Sequence, residues 1–277
     1  MTGIANGFLL PMTGYNLPSD FTLEFIVIAG GGHNTAVWND ARGGGGAGGY
    51  ISSVIGESSG GGASALTAPT LTVGSSTYAV TVGATGSNSR LQGSDSSSTA
   101  FDHHSVAGGN SQGNGGSGGG GGATSGYTSG GAGTTGQGYA GGNGTWVSSL
   151  CATFPTMAMC LGTTGGGGGG AGAAGSGFNG GDGVQSSITG TPTYYAGGGH
   201  GMNAGMVSGI GGKGYYNYGG GGVNKGKGLA GAVLLRYPSF VAISNPGGGL
   251  TMTTSVVGTN NVTVITAGSG NISFSHP

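Results

Sequence analysis

Charge is nearly missing from this chain. Only 5% of its 277 residues are Asp, Glu, Lys or Arg, and they sum to −1. No basic stripe exists, so binding to nucleic acid has no electrostatic footing. Long apolar runs are missing as well. The longest, 25–29 and 232–235, are strand-sized and far short of the ~20 residues of a membrane-spanning helix. The opening MTGIANGFLLPMTG has no positive stretch ahead of an apolar one, so no cleaved secretory signal is expected. Proline is scarce: there are 8, none inside a glycine run, and no Gly-X-Y period is kept, which excludes collagen. The two cysteines, Cys151 and Cys160, stand in CATFPTMAMC. They either clip the ends of an apolar loop in an oxidising medium or are two buried thiols. No histidine is close enough in sequence to suggest a metal site there. Helical apolar periodicity is absent throughout.

Glycine is what the chain has instead. There are 75, and 66 of them fall between Gly30 and Gly231. They run together as GGGGAGG (43–49), GGSGGGGG (115–122) and TTGGGGGGAGAAGSG (163–177). Such density would cost a helix about 1 kcal/mol per residue. A flexible linker is one reading, but a disordered chain normally stays soluble through charge, and this one carries little while being 35% hydrophobic. The other reading is an ordered bundle. In the polyproline II conformation the chain has three residues per turn and points its N–H and C=O groups outward. Glycine lets such rods pack side by side and bond to one another, and each bond contributes roughly 0.5–1.5 kcal/mol against the ordering entropy. Interior positions then require Gly, outward ones accept Ala, Ser, Thr or Asn, and bulkier residues collect where the chain reverses.

The expected fold is mostly irregular and β: a polyglycine II bundle bracketed by short strands, with a small C-terminal β element and essentially no α-helix. Residues 1–20 read as a lead or docking segment, 21–238 as the glycine-rich bundle, and 239–277 as a β-hairpin or meander for docking or oligomerisation. FTLEFIVIA (21–29) and AGAVLLRY (230–237) read as strands, and residues 68–83 read as a strand pair turning at Ser75 and Ser76.

Chemistry-bearing motifs are few. GxGxxG matches are inevitable at this glycine content. GGVNKGK (221–227) approaches a phosphate loop, but Gly228 replaces the required Ser or Thr. Asp102, His103 and His104 form a possible metal cluster or a solvated turn. No nucleophile or paired-carboxylate motif stands out, so no enzyme, cofactor or metal is expected. Binding residues are sought in segments that interrupt the glycine pattern. These are 33–42, with Trp38, Asn39, Asp40 and Arg42; 88–104, with Arg90; 145–162, with Trp146 and Phe154; and 200–218, with Tyr215, Tyr216 and Tyr218. Aromatic side chains give large contact area at low entropy cost. Trp146, Phe154, Met157 and Met159 could equally form a small core capping the bundle.

The order FIVIAGGG, GGGGAGGY, YAVTVGATG, GGSGGGGG, TGGGGGGAGAAG, ITGTPTYYAGGG and GKGLAGAVLLRYP resembles the glycine-rich domain of bacteriophage tail-fibre and receptor-binding proteins. It is also similar, in rod-and-loop layout, to the polyglycine II tip adhesins of T-even-like phages. The resemblance implies an exterior virion protein that binds a host bacterial surface glycan or outer-membrane protein. It also implies contacts with other virion proteins and a homo-oligomer, with a trimer favoured. A structural role without receptor binding, as a capsid decoration, tail spacer or filament subunit, stays open. So does an ice-binding protein, although the irregular runs lack its regular tripeptide repeat.

Overall fold

The computed structural model describes residues 17–34, 42–74, 76–123, 128–145, 164–203, 208–223 and 226–277. The fold is mostly β, and no α-helix occurs among these residues. Thirteen strands occur in them: β1 (Asp20–Thr22), β2 (Glu24–Ile28), β3 (Tyr50–Ser52), β4 (Thr70–Thr72), β5 (Thr77–Val82), β6 (Ser89–Ser94), β7 (Ala100–Ser105), β8 (Val184–Ser186), β9 (Thr193–Tyr195), β10 (Ala232–Pro238), β11 (Ala242–Ser244), β12 (Leu250–Val257) and β13 (Asn260–Ser275).

Nine of these form one hydrogen-bonded sheet, ordered β3-β2-β10-β13-β5-β6-β7, with β11 and β12 also pairing to β13. β13 is long enough to serve two sets of neighbours. Its residues 260–265 pair with both β10 and β12, and its residues 268–273 pair with β5. The sheet closes over itself, so that Phe25 on β2 stacks on His103 of β7 at 4.3 Å. Inside lies a core that includes Phe25, Val27, Tyr78, Val80, Leu91, Val233, Leu235, Ile265 and Phe274.

β2 and β10 read as continuous apolar runs because both of their faces are covered. Phe25 and Val27 point into the sandwich, while Ile26 and Ile28 point the other way. On β10, Val233 and Leu235 face inward, and Ala232 and Leu234 outward. The outward set packs against Tyr50, Ile188, Tyr195 and three alanines, Ala47, Ala171 and Ala196. Each alanine adjoins a glycine run, so a single methyl group marks where backbone rods meet the apolar layer.

Beyond that layer the glycine segments form a lattice. The run 43–49 shows its rule. The N–H groups of Gly44 and Ala47 donate to Gly166 and Gly169, those of Gly45 and Gly48 to Gly222 and Gly219, and those of Gly46 and Gly49 to Gly109 and Val106. Partners therefore repeat every three residues. Its carbonyls accept in the same rhythm, from 29–32, 117–120 and Gly199. One run is thus bonded to six neighbours. The run 165–171 repeats the pattern: 165, 168 and 171 donate to 196–202, while 166 and 169 donate to 118–121. A Cβ on Gly44, Gly120 or Gly168 would sit well inside 3.0 Å of a neighbouring carbonyl oxygen. These positions therefore exclude every other residue type.

At the rim, side chains take over. Asparagine carbonyls accept the N–H groups that lack a neighbouring rod: Asn110 from His33, Asn114 from Ala132, Asn143 from Gly130 and Asn179 from Ile210. On the outer run 138–145, Ala140 and Asn143 are exposed, three residues apart.

Several expectations change. Strands occur in 68–83, but β4 pairs with β1, and β5 with β13 and β6, so the two do not form a hairpin together. The stretch 21–29 divides at Leu23, whose N–H turns aside to Pro69. Residues 88–104 are not an open loop but the hairpin β6–β7, turned at Asp95. The last 39 residues do hold a hairpin, β12–β13, yet β13 is the strand that joins β10 to β5 and so lies inside the sandwich.

Candidate functional site

The residues singled out from the sequence fall in separate places. Trp38, Asn39, Asp40, Trp146, Phe154, Cys151 and Cys160 lie outside the described residues. Arg42 begins a glycine rod at the end of the lattice far from the sheet, where its backbone exchanges two hydrogen bonds with Met202. It is buried there, with Nη1 lacking a partner. Arg90 is on β6 and is engaged by the carboxylate of Asp102 across the hairpin. The guanidinium holds the Asp102 carboxyl below the usual carboxylate range. Strand alternation puts Asp102 and His104 on one face and His103 on the other. His103 is stacked between Phe25 and Phe101, and burial lowers its pKa below 6.5. No cluster of three or more metal-ligating side chains occurs among the described residues.

The tyrosines are the exception, because the fold brings them together. β9 ends in Tyr194 and Tyr195, and the turn 213–218 folds back beside it. The N–H of Ala196 donates to the carbonyl of Tyr218, and the side-chain amide of Asn217 donates to the carbonyl of Tyr194 at 2.7 Å. Tyr195 is buried in the apolar layer and forms the floor. Tyr218 stacks on it with rings 6.4 Å apart and only 7° from parallel. Tyr216 stands 76% exposed, its ring against that of Tyr215 at 3.7 Å. Burial, and then the neighbouring Tyr216 hydroxyl, push the Tyr215 hydroxyl up to about 12, so it is protonated at neutral pH. Burial raises Tyr195 as well.

Between these rings lies an open groove of about 460 Å³, lined by Thr193, Tyr195, Tyr216, Asn217, Tyr218, Leu229 and Ala230. No charged side chain lines it. Lys213 sits over the Tyr194 ring at 5.3 Å and pairs with Asp182 at 3.6 Å. The groove therefore offers flat aromatic faces, hydroxyls and one amide. It suits an uncharged ring with both apolar and hydroxyl edges.

This groove lies at the sheet end of the lattice, where Gly219 receives the N–H of Gly48. Arg42 and Met202 lie at the other end, so the structure does not bring the tyrosines and Arg42 into one site. Sequence reading found Tyr215, Tyr216 and Tyr218 but missed Tyr195, Asn217 and Leu229. The signal for Tyr195 was its place in TYYAGGG, a β-prone pair stopped by a glycine run. No family model matches the chain, and no curated protein or solved structure matches it.

Proposed function

We propose that the protein is a non-enzymatic phage tail-fibre adhesin. In this reading the glycine rods are polyglycine II helices, and the scaffold they build presents a receptor-binding surface to a bacterial glycan or outer-membrane protein. The three-residue recurrence of hydrogen-bond partners supports the helix type, since polyglycine II has three residues per turn. The near absence of charge and a core bonded through backbone suit a particle that must persist outside cells.

The observation that carries the binding role is the exposed Tyr216 ring, packed against Tyr215 and lining one groove with Tyr218, on a turn whose residues Tyr215, Asn217 and Tyr218 are tied by backbone hydrogen bonds. Rigid aromatic rings lose little entropy on binding, and their faces pack on the axial C–H bonds of a sugar. Asn217 and Thr193 supply hydrogen-bonding edges for hydroxyls.

The test is saturable binding of labelled protein to intact candidate host bacteria, with Tyr216→Ala alongside. Tyr216 is mostly exposed, so the variant should keep its fold and melting temperature while losing at least about tenfold in affinity. No saturable binding to any host of the parent phage would sink the adhesin reading and favour a structural virion role. Equal binding by the variant would move the receptor site away from the groove.

A further inference from the structure

A sheet that ends in an unpaired strand presents a row of free N–H and C=O groups, and natural sheets protect such edges with shortness, charge or cover. Three edges of the nine-stranded sheet follow this rule. β3 is covered: its Tyr50 N–H donates to Gln137, and its Ser52 carbonyl accepts from Leu66. β7 carries Asp102, His103 and His104, and its end is bridged by the Gln137 side chain, which binds the His104 carbonyl and the Val106 N–H. β11 is only three residues long.

β12 follows none of them. It runs for eight residues, LTMTTSVV, with no charge and no proline, and among the described residues it pairs only with β13. Beyond that ladder, among the described residues, the carbonyls of Leu250 and Thr251 receive side-chain donors, from Asn245 and Thr266. Residues 253–256 are exposed on both faces, and Val256 is 69% exposed.

We propose that β12 pairs antiparallel with β12 of a second copy of this chain, making a two-fold dimer with one continuous sheet across the axis. The strand's own composition selects this occupant. An antiparallel self-pair about a two-fold sets the residue on the axis opposite its own equivalent and its flanking residues opposite one another, so charges near the axis would face like charge, whereas this strand carries none and meets no repulsion. With the axis at Thr254, Thr254 lies opposite Thr254 of the second copy, Thr253 opposite its Ser255, and Met252 opposite its Val256. These are threonine–threonine and apolar pairs of the kind that stabilise sheets. The inference is independent of the receptor reading, and it gives a dimer where the sequence resemblance implies a trimer.

The test is the mass of the full chain in solution by light scattering and sedimentation, from about 1 to about 100 µM, a range chosen because a single strand edge is a small contact. Wild type should approach twice 26.0 kDa. The double variant Thr253→Lys, Ser255→Lys, which puts four ammonium groups around the axis, should stay at 26.0 kDa. Its circular dichroism should be unchanged. Should that variant misfold, amide exchange of wild type replaces it: residues 251–257 should gain protection between 1 and about 100 µM, while β5 does not change. A monomer throughout this range, a trimer, or a dimer that survives both lysines would overturn the proposal.

Discussion

The sandwich and the glycine lattice share one hydrogen-bonding need and meet it in opposite ways. In the sandwich, strands bond to two neighbours in a plane, and side chains fill the space between layers: Phe25, Leu235 and Phe274 are at or near zero exposure. In the lattice, the run 43–49 bonds to six neighbours around it, and glycines such as Gly43, Gly44 and Gly46 leave no room for a side chain. The first is held by apolar burial at roughly 25 cal/mol per Å². The second has almost no apolar surface to bury, so its backbone bonds, each about 0.5–1.5 kcal/mol net, must offset a large ordering entropy. The two therefore fail differently. A sandwich tolerates a smaller side chain at the cost of a cavity, whereas a lattice has no space for a larger one.

The sharpest break of this contrast is Gly168→Val. Its side chain would enter the Gly45 carbonyl at the junction of two rods. The lattice should then fail to close, with loss of well over 3 kcal/mol, read as protease sensitivity of 165–171 while β5 and β13 stay protected. Next comes Leu235→Ala in the sandwich, expected to cost about 2–5 kcal/mol in chemical denaturation, with the fold kept.

A smaller effect is acid sensitivity of the sandwich. Burial between Phe25 and Phe101 lowers the His103 pKa, only partly opposed by the Asp102 charge. Below pH 6.5 the unfolded chain binds a proton that the folded one resists, so stability falls as pH drops from 6.5 toward the lowered folded value. Asp102 and Asp95, held below the usual carboxylate range, add losses in the same direction at lower pH. Melting temperature against pH should fall less steeply in this window for His103→Phe than for wild type. The smallest effect is Gly247→Ala. This glycine is outside the lattice, with no neighbour within 4 Å of an added Cβ and no left-handed φ. Its stability should change by no more than about 0.5 kcal/mol.

The same contrast explains what could be read in the sequence. β2 and β10 were legible because strands buried on both faces leave unbroken apolar runs. The lattice was legible as composition: only glycine fits where every neighbour is backbone. Its rim was not, because Asn110, Asn114 and Asn143 look like loop residues until the missing neighbour of each N–H is known. β6 and β7 were hidden because SRLQGS and AFDHHS are half exposed and polar, and only Leu91, Phe101 and His103 mark the inner face. Pairing was hidden as well, since nothing local tells β4 to seek β1 rather than β5. Of the candidate site, three tyrosines were visible in one cluster. Their floor, Tyr195, sits some twenty residues earlier and joins them through tertiary contacts: the bonds of Ala196 to Tyr218 and of Asn217 to Tyr194, and the stack of its own ring on Tyr218.

The central claim is that glycine-rich chain forms an ordered, backbone-bonded solid here. Amide hydrogen exchange of the native protein tests it most directly, read on the runs 43–49, 116–122 and 165–171. Their protection should be as strong as that of β2 and β10, lost only with global unfolding. Exchange of these amides at the rate of an unstructured glycine linker, with the sandwich still protected, would contradict it.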